Sequence, residues 1–145
     1  VRGDRAGLAS KVDLLSNVSL FAECTRKELS QIAAVTEEIR VPSGSVVVEE
    51  GEPGDKFYAV AEGLAHVLVN GKKVASIWPG SFFGEMALLD QGPRSATVTA
   101  ELPTRLLVLN ARDFATVVKN NPSVALKIMR ALAERLRAAE RITTH

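Results

Sequence analysis

The sequence predicts an α+β fold: an antiparallel β-roll, jelly-roll-like and barrel-forming, flanked by N-terminal helices and two C-terminal helices. Three observations carry this. Helical periodicity marks both ends of the 145-residue chain. Between them, short β-branched runs alternate with glycine-containing turns. One short apolar helix seed, residues 85–89, interrupts the β-rich part.

The first 40 residues read as helices. Val12, Leu15, Val18 and Leu20-Phe21 form one apolar face. Thr25-Arg26-Lys27-Glu28 has the S/T-x-x-E form of a capping box, followed by a stripe of Leu29, Ile32, Ala33 and Val35. Helical spacing extends to Ile39. From 41 to 110, strands are expected at 46–49, 57–61, 65–69, 73–77, 95–99 and 105–109. Asn70-Gly71 is a hairpin signal, because a type I′ turn needs positive φ at both central residues. From 111 to 145 the helical period returns. Ala111 to Val118 forms one helix, Asn120-Asn121-Pro122 breaks it, and Ser123 is placed to cap the last helix with Pro122 outside it. Leu126, Ile128-Met129, Leu132, Ala133, Leu136 and Ala139 run to Ile142 and give that helix, 123–142, an apolar stripe suited to packing on the β-roll, on a second copy of the chain, or on both.

Composition narrows the function classes. Hydrophobic residues at 46 % and charged residues at 24 % describe a folded domain. A net charge of +1 provides no global field for nucleic acid or membrane surfaces, and Arg130, Arg135, Arg137 and Arg141 read as a solvated helix face. The single cysteine, Cys24, fits a packing role and a cytoplasmic location. No apolar run is long enough to span a bilayer, and no signal-peptide pattern opens the chain. The first residue is Val1, so a longer parent protein is expected. Only His66 and His145 are available as histidine ligands, which argues against a metal-dependent barrel enzyme, and no Ser-His-Asp or Cys-His set is visible.

The chemistry concentrates in 82–98, which contains Phe83-Gly84-Glu85-Met86-Ala87-Leu88 and Pro93-Arg94-Ser95-Ala96-Thr97-Val98. Gly84 permits a sharp turn, and the residues after it present helix-start N–H groups suited to a phosphate. Arg94 supplies a planar, permanently charged fork, and Glu85 supplies an acceptor for a sugar hydroxyl. The stretch resembles the phosphate-binding cassette of cyclic nucleotide-binding domains, with the F-G-E-x-A-L and P-R-x-A-T-V halves both present. Glu50-Gly51-Glu52-Pro53-Gly54-Asp55-Lys56-Phe57-Tyr58 is similar to that family's turn between early strands, and Leu132-Ala133-Glu134-Arg135-Leu136 to the long helix of catabolite activator-type regulators. The cassette also resembles those of nucleotide-gated channels and kinase regulatory subunits. The likeness covers nearly the whole chain.

The resemblance implies a non-enzymatic sensor whose ligand is cAMP or cGMP, with cAMP favoured and no further cofactor. Arg94 would pair with the cyclic phosphate and Glu85 with the ribose 2′-hydroxyl. Gly84, Met86, Ala87, Leu88 and Ala96 would line the ligand, the first and Ala87 and Leu88 through their backbone, and Ser95 would offer its hydroxyl or N–H. Leu88 and Phe114 would act as switch and hinge, moving the helix that starts at Ser123. Arg135 and Arg137 are the candidates to cap the base, because Ala139 and Glu140 stand where catabolite activator-type proteins carry hydroxyl side chains. The output, whether a DNA-binding domain, channel, enzyme, transporter or partner protein, is not visible. No helix-turn-helix lies in these residues, so nucleic acid is not an expected partner of this segment. Two alternatives remain at this stage: the sensor half of a DNA-binding regulator, and a docking or dimerisation module that has lost its ligand.

Overall fold

The computed structural model describes residues 10–143, with side chains as far as Glu140. The contacts divide the chain into two compact units, Val35–Ala115 and the two chain ends, Val1–Ala34 with Thr116–His145.

Among the described residues, the strands all lie in the unit Val35–Ala115. They are β1 (Glu37–Val41), β2 (Val46–Val48), β3 (Lys56–Glu62), β4 (Ala65–Val69), β5 (Lys72–Ile77), β6 (Phe82–Phe83), β7 (Thr97–Ala100) and β8 (Thr104–Asn110). They form two four-stranded antiparallel sheets, ordered β1-β8-β3-β6 and β2-β7-β4-β5, rather than one closed barrel. Side chains from both sheets share a buried cluster of Tyr58, Val60, Ala65, Ile77, Val98, Leu106 and Val108. The β4–β5 hairpin turns through Asn70 at φ 52° and Gly71 at φ 80°, the two positive values its sequence requires.

Two strands escape the sequence reading. β1 occupies residues assigned above to helix. The helical stripe stops at Ala34, and the β-branched pair Val35-Thr36 leads into a strand registered on β8, with Ile39 opposite Leu106. Arg105 on β8 then joins Glu38 on β1 at 2.8 Å and Glu62 on β3 at 3.1 Å, so one guanidinium ties three neighbouring strands. β6 is only two residues long, too short for an alternating pattern. It is defined by pairing with β3, where Tyr58 stacks on Phe83 at 5.0 Å between ring centroids. The strand expected at 95–99 begins only at Thr97, which leaves Ser95 outside the ladder.

The other unit is built from helix α1 (residues 10–16), a 3-10 turn (Ser19–Phe21), α2 (Arg26–Ala34) and α4 (Pro122–Thr143). Helix α3 (Ala111–Asn120) crosses the unit boundary. Asn110 caps it, its Oδ1 accepting from the Asp113 N–H at 2.8 Å. The capping box of α2 forms as read: Thr25 N–H donates to Glu28 Oε1 at 2.8 Å, and Glu28 N–H to Thr25 Oγ1 at 3.2 Å. Pro122 is the first residue of α4, not the residue before it. Its fixed φ and missing N–H suit that position, which frees Ser123 from capping.

Ser123 instead donates to Glu28 Oε2, and Lys127, one turn further on, donates to Glu28 Oε1 at 2.5 Å. Glu28 is only 7 % exposed. The Lys127 and Ser123 hydrogen bonds hold its carboxyl down from the ordinary 4.5 to about 2. Because its folded value lies below its unfolded one, Glu28 stabilises the fold fully above about pH 4.5, and this contribution is lost as pH falls toward about 2. Glu28→Gln is therefore expected to lose roughly 2–3 kcal/mol at pH 7. Urea melts across pH should show wild type and variant converging at the acid end of that window.

Candidate functional site

The sharpest local feature is the turn into the residue 85 helix. Gly84 sits at φ 77°, in the left-handed region that favours glycine. A short 3-10 helix, Glu85–Leu88, follows, with the Ala87 N–H closing on the Gly84 carbonyl at 3.1 Å. The short helix seed read at 85–89 is thus a 3-10 helix that ends at Leu88. Ala87 and Leu88 are buried and anchor it to the core.

A cavity of about 310 Å³ opens beside this helix. Its walls are Val48 and Val67 from the sheet, Phe83, Gly84, Met86 and Ala87 from the turn, Asp90, and the run Gly92, Pro93, Arg94, Ser95, Ala96 and Val98. Six of the residues singled out in the sequence therefore meet on one surface: Gly84, Met86, Ala87, Arg94, Ser95 and Ala96. Glu85 and Leu88 are not among the lining residues. Glu85 is half-buried with its Oε2 withdrawn from solvent, and Leu88 faces the core.

Arg94 is the permanent cation of this surface, and a second segment fixes it. The Gly51 N–H donates to the Arg94 carbonyl at 2.9 Å, the Arg94 N–H donates to the Glu52 carbonyl at 2.8 Å, and Pro53 bridges to Pro93. The side chain is fixed as well, its Nη2 donating to the Lys56 carbonyl at 2.8 Å. One donor of the fork is thus spent on the protein, while a guanidinium has five. Arg94 also borders a second cavity of about 230 Å³, lined by Glu49, Glu52, Gly54, Asp55, Lys56 and Tyr58 among others. Burial raises the Tyr58 phenol above its ordinary value, and the Arg94 charge opposes that shift.

The remaining candidates lie elsewhere. Phe114 is buried on α3. Arg135 donates to Ser19 Oγ at 2.7 Å, Arg137 is exposed on α4, and the Arg141 side chain lies outside the described residues, as does His145. Arg130 is an exposed helix-face residue within 3.7 Å of Glu23. His66 is more enclosed than a plain surface residue and sits 3.3 Å from Glu101. Burial, then the neighbouring Glu28 charge, push the Cys24 thiol up to about 11, away from the thiolate that a nucleophile requires. Among the described residues, no cluster of three or more His, Cys, Asp or Glu is placed to hold a metal, and no helix is long and apolar enough to cross a membrane.

The cyclic nucleotide-binding domain profile matches residues 38–121. The chain belongs to the cyclic nucleotide-binding domain family. The domain is 37 % identical over 126 residues to a cyclic nucleotide-gated potassium channel of Mesorhizobium japonicum, covering 87 % of this chain and 35 % of the channel. It is 36 % identical over 102 residues to a cAMP-dependent protein kinase regulatory subunit of Aspergillus niger, covering 69 % of this chain and 25 % of the subunit. The crystal structure of the N-terminal domain of a transcriptional regulator from Streptomyces coelicolor superposes with a TM-score of 0.83 at 32 % identity, covering 90 % of this chain and 94 % of that one. The chain therefore spans about a third or less of the curated relatives it matches. Their channel, kinase-regulatory and transcriptional roles differ, while the domain recurs.

What the sequence missed at the site is the loop at 49–56. Its motif reads as a turn, yet its backbone fixes Arg94 through three hydrogen bonds. Gly84 is the position where this arrangement is most exposed to mutation. A Cβ there would lie 3.0 Å from the Lys56 carbonyl and 2.6 Å from Arg94 Nη1, on a backbone with φ +77°. Gly84→Ala is expected to cost about 1–3 kcal/mol in a denaturant melt.

Proposed function

We propose that the domain is a cyclic nucleotide sensor, with cAMP the favoured ligand, and that it binds without turning the ligand over. The observation that carries this is a permanent guanidinium, fixed by the protein backbone, on the wall of a cavity that also contains a positive-φ glycine and a helix start. Arg94 pairs with the cyclic phosphate, while Gly84, Ala87 and Leu88 contribute backbone contacts at the helix start. Glu85 accepts from the ribose 2′-hydroxyl, and Ser95 contacts the phosphate or base. Glu85 is half-buried with one oxygen, Oε2, withdrawn from solvent, which places its carboxylate partly within the protein. Arg135 or Arg137 covers the base.

Binding is then a bias between two arrangements of the C-terminal helices, with Leu88 and Phe114 as the relay. Both residues are buried, so a shift of either must be met by repacking of its own surroundings, which is what a relay requires of each. On α4, Leu126, Met129 and Leu136 are 48, 58 and 66 % exposed. That stripe supports a homodimer through this helix. The alternative reading, the sensor half of a DNA-binding regulator, draws its support from the likeness to the N-terminal domain of a transcriptional regulator, beside equally close likenesses to channel and kinase-regulatory proteins.

Calorimetric titration with cAMP and with cGMP tests the reading. Micromolar or tighter binding is expected, with Arg94→Ala weakening it about tenfold to a hundredfold, the size of a charge-assisted contact. Folded, ligand-free protein that gives no heat with either nucleotide would instead identify a docking module that has lost its ligand.

A further inference from the structure

Two glycines from separate segments flank the Arg94 guanidinium. A Cβ on Gly84 would meet its Nη1 at 2.6 Å. A Cβ on Gly54 would meet its Nε at 2.0 Å, its Cζ at 2.3 Å and its Nη2 at 2.6 Å. Gly84 is already explained by its positive φ. Gly54 is not: its φ lies outside the left-handed region, so its backbone is open to residues with side chains. What the missing side chain provides is room for the arginine. The atoms in conflict are the tip of a long flexible side chain, not backbone, so a methyl group at 54 would move Arg94 rather than unfold the loop.

The surroundings explain why Gly54 is where this control sits. Gly51 and Glu52 pair with the Arg94 backbone, and Lys56 takes the far end of its side chain. Gly54 lies between these clamps, flush against the middle of the fork. We propose that Gly54 is a positioning residue for the phosphate-binding arginine: its lack of a side chain lets Arg94 lie flat on the loop, hydrogen-bonded to Lys56 and facing the larger cavity. The assignment rests on the sensor reading for its effect on affinity, but not for its effect on the arginine.

Two measurements on wild type, Gly54→Ala, Arg94→Ala and the double variant test it. In NMR spectra of the arginine Nε–H groups, the signal that disappears in Arg94→Ala should move in Gly54→Ala. In cAMP titrations, Gly54→Ala should weaken binding about tenfold, as expected for a displaced charge-assisted contact, with a melting temperature no lower than wild type. The same change made in Arg94→Ala should weaken binding no further. An unmoved Nε–H signal, wild-type affinity in Gly54→Ala, or a loss that persists in the Arg94→Ala background overturns the assignment. If wild type binds neither cAMP nor cGMP, the sensor reading falls, and the Nε–H signal still decides whether Gly54 sets the position of the arginine.

Discussion

A free arginine side chain samples many rotamers, and holding it in one costs up to about 2 kcal/mol of entropy. At this site the surroundings remove most of that freedom in advance. The Arg94 backbone is pinned to Gly51 and Glu52, its tip donates to the Lys56 carbonyl, and its plane lies against Gly54 and Gly84. Much of the unit Val35–Ala115 can be understood as support for this arrangement. β3 starts at Lys56 and presents the carbonyl, while β7 starts just beyond Ala96 and fixes the approach of the 93–96 run. The two-residue β6 ends at Phe83, immediately before the Gly84 turn. A preorganised cation of this kind lets an anionic ligand bind without the ordering cost falling on the binding step.

The unit formed by the chain ends uses the opposite kind of centre, a buried anion. Glu28 completes its own helix cap and also accepts from Ser123 and Lys127 on α4. One carboxylate thereby joins two helices 95 to 99 residues apart in sequence. Such a pair is a weak source of net stability but strongly penalises any arrangement that breaks it. In a unit proposed to move in response to ligand, it favours α2 and α4 moving together.

Much of this was legible in the sequence, for physical reasons that differ by element. Asn70-Gly71 and the Thr25 capping box were readable because a backbone requirement maps onto particular residue types. Gly84 and Arg94 were readable for the same reason, one by its turn and the other by its charge. β1 was not, because Glu37-Glu38-Ile39-Arg40-Val41 has only two apolar positions, continues a helical stripe, and becomes a strand through its ladder with β8 and the Arg105–Glu38 ion pair. β6 is too short to carry any period. The role of the 49–56 loop was hidden because it acts through carbonyls and N–H groups, which every residue possesses. Glu85 was legible as chemistry but not as placement, since a side chain's direction out of a 3-10 turn depends on packing that a motif does not encode.

On the proposed reading, Arg94 is held on the cavity wall to receive a cyclic phosphate. A crystal structure of the domain with cAMP tests it most directly. Exocyclic phosphate oxygens are expected at about 2.7–2.9 Å from the Arg94 guanidinium, the range of charge-assisted hydrogen bonds, with the Nη2 bond to the Lys56 carbonyl retained. A nucleotide bound with its phosphate away from Arg94, or an Arg94 turned off the cavity wall in the complex, would contradict it.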